Sequence, residues 1–184
     1  MTPVFVYTNY PTAELFINGK SYGKQSKNNS SLKSRYRLMW MDAVYEPGEV
    51  KVVAYNKDGK AVAEKTVRTA GKPHHIELVS NRNELTADGK DLAYVTVKVV
   101  DKDGNLCPTD SRLIHFSVKG AGKFRAVANG DPTNLEQFHL PKMHAFHGML
   151  TAIVQAGEIA GDLVLTASKW SENRNSPSSG KIKG

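Results

Sequence analysis

Apolar and polar residues alternate along most of this chain with a period of two, and no element sustains the 3.6-residue period of an amphipathic helix. Glu49-Val50-Lys51-Val52-Val53-Ala54-Tyr55 alternates, Asn56-Lys57-Asp58-Gly59-Lys60 turns, and Ala61 to Val67 returns, which predicts a long hairpin. Ahead of it, Val4 to Thr8 reads as a first strand. Ala13 to Ile17 runs into Asn18-Gly19, the dipeptide that suits a type I′ turn because both central residues need positive φ. Ser21 to Gly23 is the predicted return strand. Gln25 to Lys33 is polar and predicts an exposed loop, Arg35 to Met41 predicts another strand, and Tyr45-Glu46-Pro47-Gly48 closes it.

The second half continues in the same style without repeating the sequence. His75 to Ser80 is a predicted strand, and Leu92 to Val100 is the longest β-branched run, turned back by Asp101-Lys102-Asp103-Gly104-Asn105. Leu113 to Val118, Phe124 to Ala128, Met149 to Val154 and Leu163 to Ala167 bring the set to about seven short strands, the number expected of an immunoglobulin-like sandwich. Between the halves, Thr69-Ala70-Gly71-Lys72-Pro73 has no apolar period and reads as a linker. The expected architecture is all-β: two tandem immunoglobulin-like antiparallel β-sandwich domains, residues 1–72 and 73–184. After Trp170 the polar stretch from Ser171 to Gly180 predicts a frayed tail.

Composition narrows the function. The 184 residues include 25 Lys/Arg against 18 Asp/Glu, a net charge of +7. Residues 1–72 carry twelve basic and six acidic residues, so the excess lies in the first half, around Lys20, Lys24, Lys27, Lys33, Arg35 and Arg37. No reader motif accompanies them, so no nucleic-acid partner is expected. Neither is membrane insertion, because no apolar run approaches the roughly 18 residues of a membrane helix. The chain is also too short for a (β/α)₈ barrel, which takes about 250 residues. Cys107 is the one cysteine and cannot form an internal disulfide; an idle, buried thiol is expected.

Catalytic motifs are missing: there is no G-x-S-x-G elbow, P-loop, dinucleotide fingerprint, C-x-x-C or H-E-x-x-H, and no cofactor is called for. His139, His144 and His147 stand near Asp131 and Glu136, but their spacing matches no zinc pattern, and solvated loop histidines are expected. Asp58, Asp88, Asp101, Asp103 and Asp131 all lie at turn tips, where Asp serves backbone geometry rather than glycoside cleavage. Aromatic residues concentrate in the first half. Tyr10 and Trp40 are the candidate carbohydrate-binding residues, as stacking platforms for a pyranose, against a competing expectation that they simply pack.

The ordered motifs resemble a known family. Val6-Tyr7-Thr8-Asn9 followed by Ala13-Glu14-Leu15-Phe16-Ile17-Asn18-Gly19-Lys20-Ser21 resembles the domain after the catalytic barrel in bacterial glycoside hydrolase family 2 β-galactosidases. Leu85-Thr86-Ala87-Asp88-Gly89, Ala128-Asn129-Gly130-Asp131-Pro132 and Phe146 to Gln155 resemble the immunoglobulin-like C-terminal domain of the same enzymes, with His147 where the pattern usually has Asn. The glutamates that catalyse in that family have no counterpart here. The resemblance implies an excised, non-catalytic C-terminal region that supports or orients an absent barrel, which agrees with Met1 standing directly against a strand. Its expected partner is the rest of the parent glycoside hydrolase chain, and the parent is expected to be periplasmic or extracellular. The alternatives are a carbohydrate-binding module and a bacterial immunoglobulin-like adhesion module.

Overall fold

The computed structural model describes residues 1–169 and 178–183. Among them there is no helix, and the chain divides into two compact units, Met1–Thr69 and Ala70–Gly184.

The first unit contains β1 (Val4–Val6), β2 (Thr12–Ile17), β3 (Lys20–Ser26), β4 (Leu38–Trp40), β5 (Glu49–Tyr55) and β6 (Ala61–Arg68). They form a four-stranded antiparallel sheet in the order β3-β2-β5-β6 and a two-stranded ribbon of β1 with β4. The Asn18-Gly19 turn forms as expected, with φ of 49° and 80°. Asn18 does more than turn the chain: its Oδ1 accepts the Glu49 amide at 2.8 Å and its Nδ2 donates to the Pro47 carbonyl at 3.2 Å. The strand predicted over Arg35 to Met41 shrinks to Leu38–Trp40. Arg35 is taken into the preceding loop instead, its amide bonded to the Ser31 carbonyl at 2.9 Å and its guanidinium to the Asn29 carbonyl.

Alternation sets the packing of this unit. Ala13, Leu15 and Ile17 of β2 turn inward with Leu38 and Trp40 of β4, joined by Ala43 and Ala54. Four of these seven side chains are larger than alanine, which is a small core for 69 residues.

The second unit contains β7 (His75–Ser80), β8 (Leu92–Val100), β9 (Leu113–Gly120), β10 (Gly122–Ala128), β11 (Lys142–His144), β12 (Met149–Ala156), β13 (Asp162–Lys169) and β14 (Ser178–Lys183). Two four-stranded antiparallel sheets result, β10-β12-β8-β7 and β11-β9-β13-β14. Inward residues of both sheets, among them Val95, Val97, Val99, Ile114, Leu150 and Leu163, make one continuous core. Two expectations need correction here. The short β11 went unrecognised because three residues are too few to show a period. Of the predicted tail, residues 171–177 lie outside the described residues, while Ser178 to Gly180 belong to β14 and pair with β13.

Candidate functional site

An open groove of about 740 Å³ lies in the second unit, where the loop between β10 and β11 meets the segment from β11 to the next turn. The loop is built from its own side chains. Asn129 Oδ1 accepts the Asp131 amide at 3.1 Å, Asp131 Oδ1 accepts the Thr133 amide at 2.8 Å and hydroxyl at 2.7 Å, and Asn134 Oδ1 accepts the Glu136 amide at 2.9 Å. Each is a side chain closing a turn in place of the backbone. Glu136 then ties the loop to β11: Oε2 accepts the His144 amide at 3.1 Å and Oε1 lies 3.0 Å from His144 Nδ1. Asn129 Nδ2 donates to the His144 carbonyl at 2.9 Å, so the backbone of His144 is held from both sides.

This geometry determines the acid–base chemistry of the groove. The Thr133 amide and hydroxyl hold the Asp131 carboxyl below its ordinary range. Burial pulls Glu136 upward, but the amide and ring of His144 outweigh it and the carboxyl ends below its ordinary range. A glycosidase acid must instead be held up so that it keeps its proton near neutrality. Both carboxylates are therefore poised as hydrogen-bond acceptors rather than proton donors.

The three loop histidines go to different environments. His144 pairs with Glu136. His147 sits at φ 50° in a turn, its Nδ1 3.3 Å from the Pro108 carbonyl and its ring against Phe146, while His139 is exposed. Among the described residues no three His, Cys, Asp or Glu side chains converge as metal ligands. The groove includes Ser111, Asn134 and Phe146, which sequence reasoning did not single out; the one available signal was the spacing of Asn and Asp through 129–134.

The candidate sugar platforms also separate. Trp40 is 1% exposed, packed in the core of the first unit, and its indole Nε1 donates to the Gly23 carbonyl at 3.0 Å. It has no ring face to offer a pyranose, because the pairing Val4↔Trp40 turns it inward. Tyr10 remains partly exposed. On the outer face of the four-stranded sheet, Lys24 covers the Tyr55 ring at 4.0 Å and Lys51 stands over Phe16 at 5.4 Å.

The family model for glycoside hydrolase family 2 C-terminal domain 5 matches residues 76–174, more than half of the chain. The chain belongs to that family. A second model, a domain of unknown function (DUF4982), matches residues 1–63. The β-galactosidase BoGH2A of Bacteroides ovatus is 44% identical over 88% of this chain, a match that spans 18% of that protein. Among solved structures, a glycosyl hydrolase family 2 member from Bacteroides cellulosilyticus is 32% identical with a TM-score of 0.84, covering 98% of this chain and 24% of that one. A β-glycosidase from Bacteroides vulgatus is 28% identical with a TM-score of 0.88, covering 100% of this chain and 22% of that one. This family 2 C-terminal region thus spans less than a quarter of the length of each of these relatives.

Proposed function

We propose that this chain is a non-catalytic C-terminal region of a β-galactosidase-like family 2 glycoside hydrolase, whose role is to support and orient the catalytic barrel of the parent polypeptide. The observation that carries this reading is the match to a minor, C-terminal share of family 2 glycosidases, and the carboxylates of the chain agree with it. Glu14, Asp88, Asp91, Asp101, Asp110, Asp131 and Glu136 are all shifted downward, each by donors that lock it into a turn, an ion pair or a strand pair. None is held up to protonate a leaving group.

The test is turnover of a chromogenic β-galactoside by the purified 184-residue chain, with the full-length parent alongside. The expected result is turnover by the parent alone. Activity that stays with this chain through purification and is lost in Glu136→Gln would overturn the proposal. Sugar binding through Tyr10 is the competing reading, favoured by its partial exposure. Calorimetric titration with galactose and lactose, repeated on Tyr10→Ala, separates the two: heat that disappears in the variant supports binding, and silence supports scaffolding.

A further inference from the structure

The β1–β4 ribbon has one face turned to the core of the first unit, carrying Val4, Val6, Leu38 and Trp40. Its other face is also apolar. Phe5 lies opposite Met39 in the register, and Tyr7 and Met41 continue the same outward alternation beyond the strand ends. Phe5 is 45% exposed, Tyr7 69% and Met41 55%. A ribbon with one face in water ordinarily alternates apolar-in and polar-out, and this one does not.

The other sheet of the same unit shows what a solvated face looks like here. On its outer side Glu14 accepts from the Ser21 hydroxyl at 2.7 Å and the Tyr55 hydroxyl at 2.9 Å, and lysines cover the rings of Tyr55 and Phe16. The ribbon has Arg37 over Phe5 at 5.4 Å and otherwise bare apolar side chains. From Leu15 to Met41 the chain carries six Lys/Arg and no Asp/Glu; Lys20 and Lys24 belong to β3 of the other sheet, while Arg37 stands over Phe5 of the ribbon. Lys24 lies opposite Glu14 in the register and favours its charged form. The unit buries four side chains larger than alanine, with Val4, Val6, Tyr22, Val50 and Val52 packed partly buried against them, while Phe5, Tyr7 and Met41 stay outside.

We propose that the outward face of this ribbon, Phe5, Tyr7, Met39 and Met41 with Arg37, is the seat of the remainder of the parent polypeptide, against a largely apolar surface. The relatives supply the reason for that occupant: more than three quarters of their length lies outside the part matched by this chain. Arg37, over the Phe5 ring at 5.4 Å, is the cation this face offers to an acidic group of that surface. This inference rests on the supporting role proposed above and locates it.

The methionines on the ribbon are the probes. Peroxide oxidation of Met39 and Met41, followed by peptide mass spectrometry, is compared in the 184-residue chain and in the full-length polypeptide that carries it. Met41 is expected to oxidise roughly tenfold more slowly in the full-length protein, since oxidation follows exposure. The double variant Phe5→Ser/Tyr7→Ser is expected to restore the fast rate there while leaving the melting of the 184-residue chain unchanged. Equal rates in the two proteins overturn the proposal. So does concentration-dependent protection in the 184-residue chain that Tyr7→Ser abolishes, because the occupant is then a second copy. Deleting residues 1–184 from the full-length polypeptide tests the underlying reading separately. Unchanged stability and turnover of the rest sink the supporting role, whereas lost stability with an unprotected Met41 sinks the ribbon alone.

Discussion

The amide of Gly71 donates to Oδ2 of Asp101 at 2.8 Å, anchoring the segment that leads into β7 to the turn that ends β8. Asp101 is 2% exposed, and its other oxygen accepts the amides of Asp103 and Asn105, both at 2.9 Å. A buried carboxylate is stable here because backbone donors surround it. The Gly71 amide foremost, against the opposing pull of burial, holds this carboxyl far below the usual carboxylate range. A group whose folded pKa is depressed contributes stability that is complete above its unfolded pKa and is lost as pH falls through the folded value.

Asp101→Asn is therefore expected to lower the melting temperature at pH 7 by several degrees and to flatten the fall in stability on acidification below about pH 4. Thermal melts from pH 7 down to strongly acid conditions check it. An unchanged slope on the acid side would remove Asp101 as the group responsible.

Trp40 is the largest side chain in the core of the first unit, and Gly23 uses its indole N–H. Trp40→Ala is expected to destabilise this unit by about 3–5 kcal/mol through the cavity it leaves. Trp40→Phe should cost less, about 1–3 kcal/mol, from the smaller ring and the Gly23 carbonyl left without its donor. Urea unfolding followed by circular dichroism reads both, and an alanine variant close to wild type would contradict the assigned packing.

The connection from β11 to β12 turns through His147 and Gly148 at φ 50° and 74°, with Phe146 and Met149 exchanging both backbone hydrogen bonds. Asn accepts this left-handed conformation more readily than His. His147→Asn is expected to stabilise the second unit by a few tenths of a kcal/mol, the gain in backbone preference being partly offset by the lost contacts to Phe146 and Pro108. Gly148→Ala should do the opposite and strongly, since its Cβ would stand 2.3 Å from the Cys107 carbonyl oxygen. Chemical denaturation of the pair reads the two signs, and a neutral Gly148→Ala would refute the close approach.

Burial pushes the Cys107 thiol up, and the charges of Asp101 and Asp110 add to it. The thiolate that reacts with alkylating reagents is therefore scarce. Native protein is expected to label with iodoacetamide at pH 8 far more slowly than urea-unfolded protein, and the labelling rate should follow unfolding of the second unit. Equal rates in native and unfolded samples would contradict the burial.

Much of the placement of strands along the chain was legible because a strand facing a core carries a period of two that a few residues suffice to reveal. Glu49–Tyr55, Leu92–Val100 and the Asn18-Gly19 turn all stand where their local chemistry put them. The short β11 and the His147-Gly148 turn were not legible, the first for want of length and the second because His is an unusual residue in that conformation. The groove was legible only as a loop. Its shape depends on Glu136 reaching His144 across eight residues, and no local pattern encodes that reach.

Alternation along the chain by itself determined the all-β class, and the ordered motifs pointed to the family, because both are written in neighbouring residues. Which face each strand shows was decided by tertiary pairing. A slip of one residue that turned β4 over against β1 would exchange its buried and outward sets, sending Leu38 and Trp40 to solvent and Met39 to the core. The chain states that Trp40 and Phe5 occur, while the pairing Val4↔Trp40 decides that one fills the core and the other faces outward.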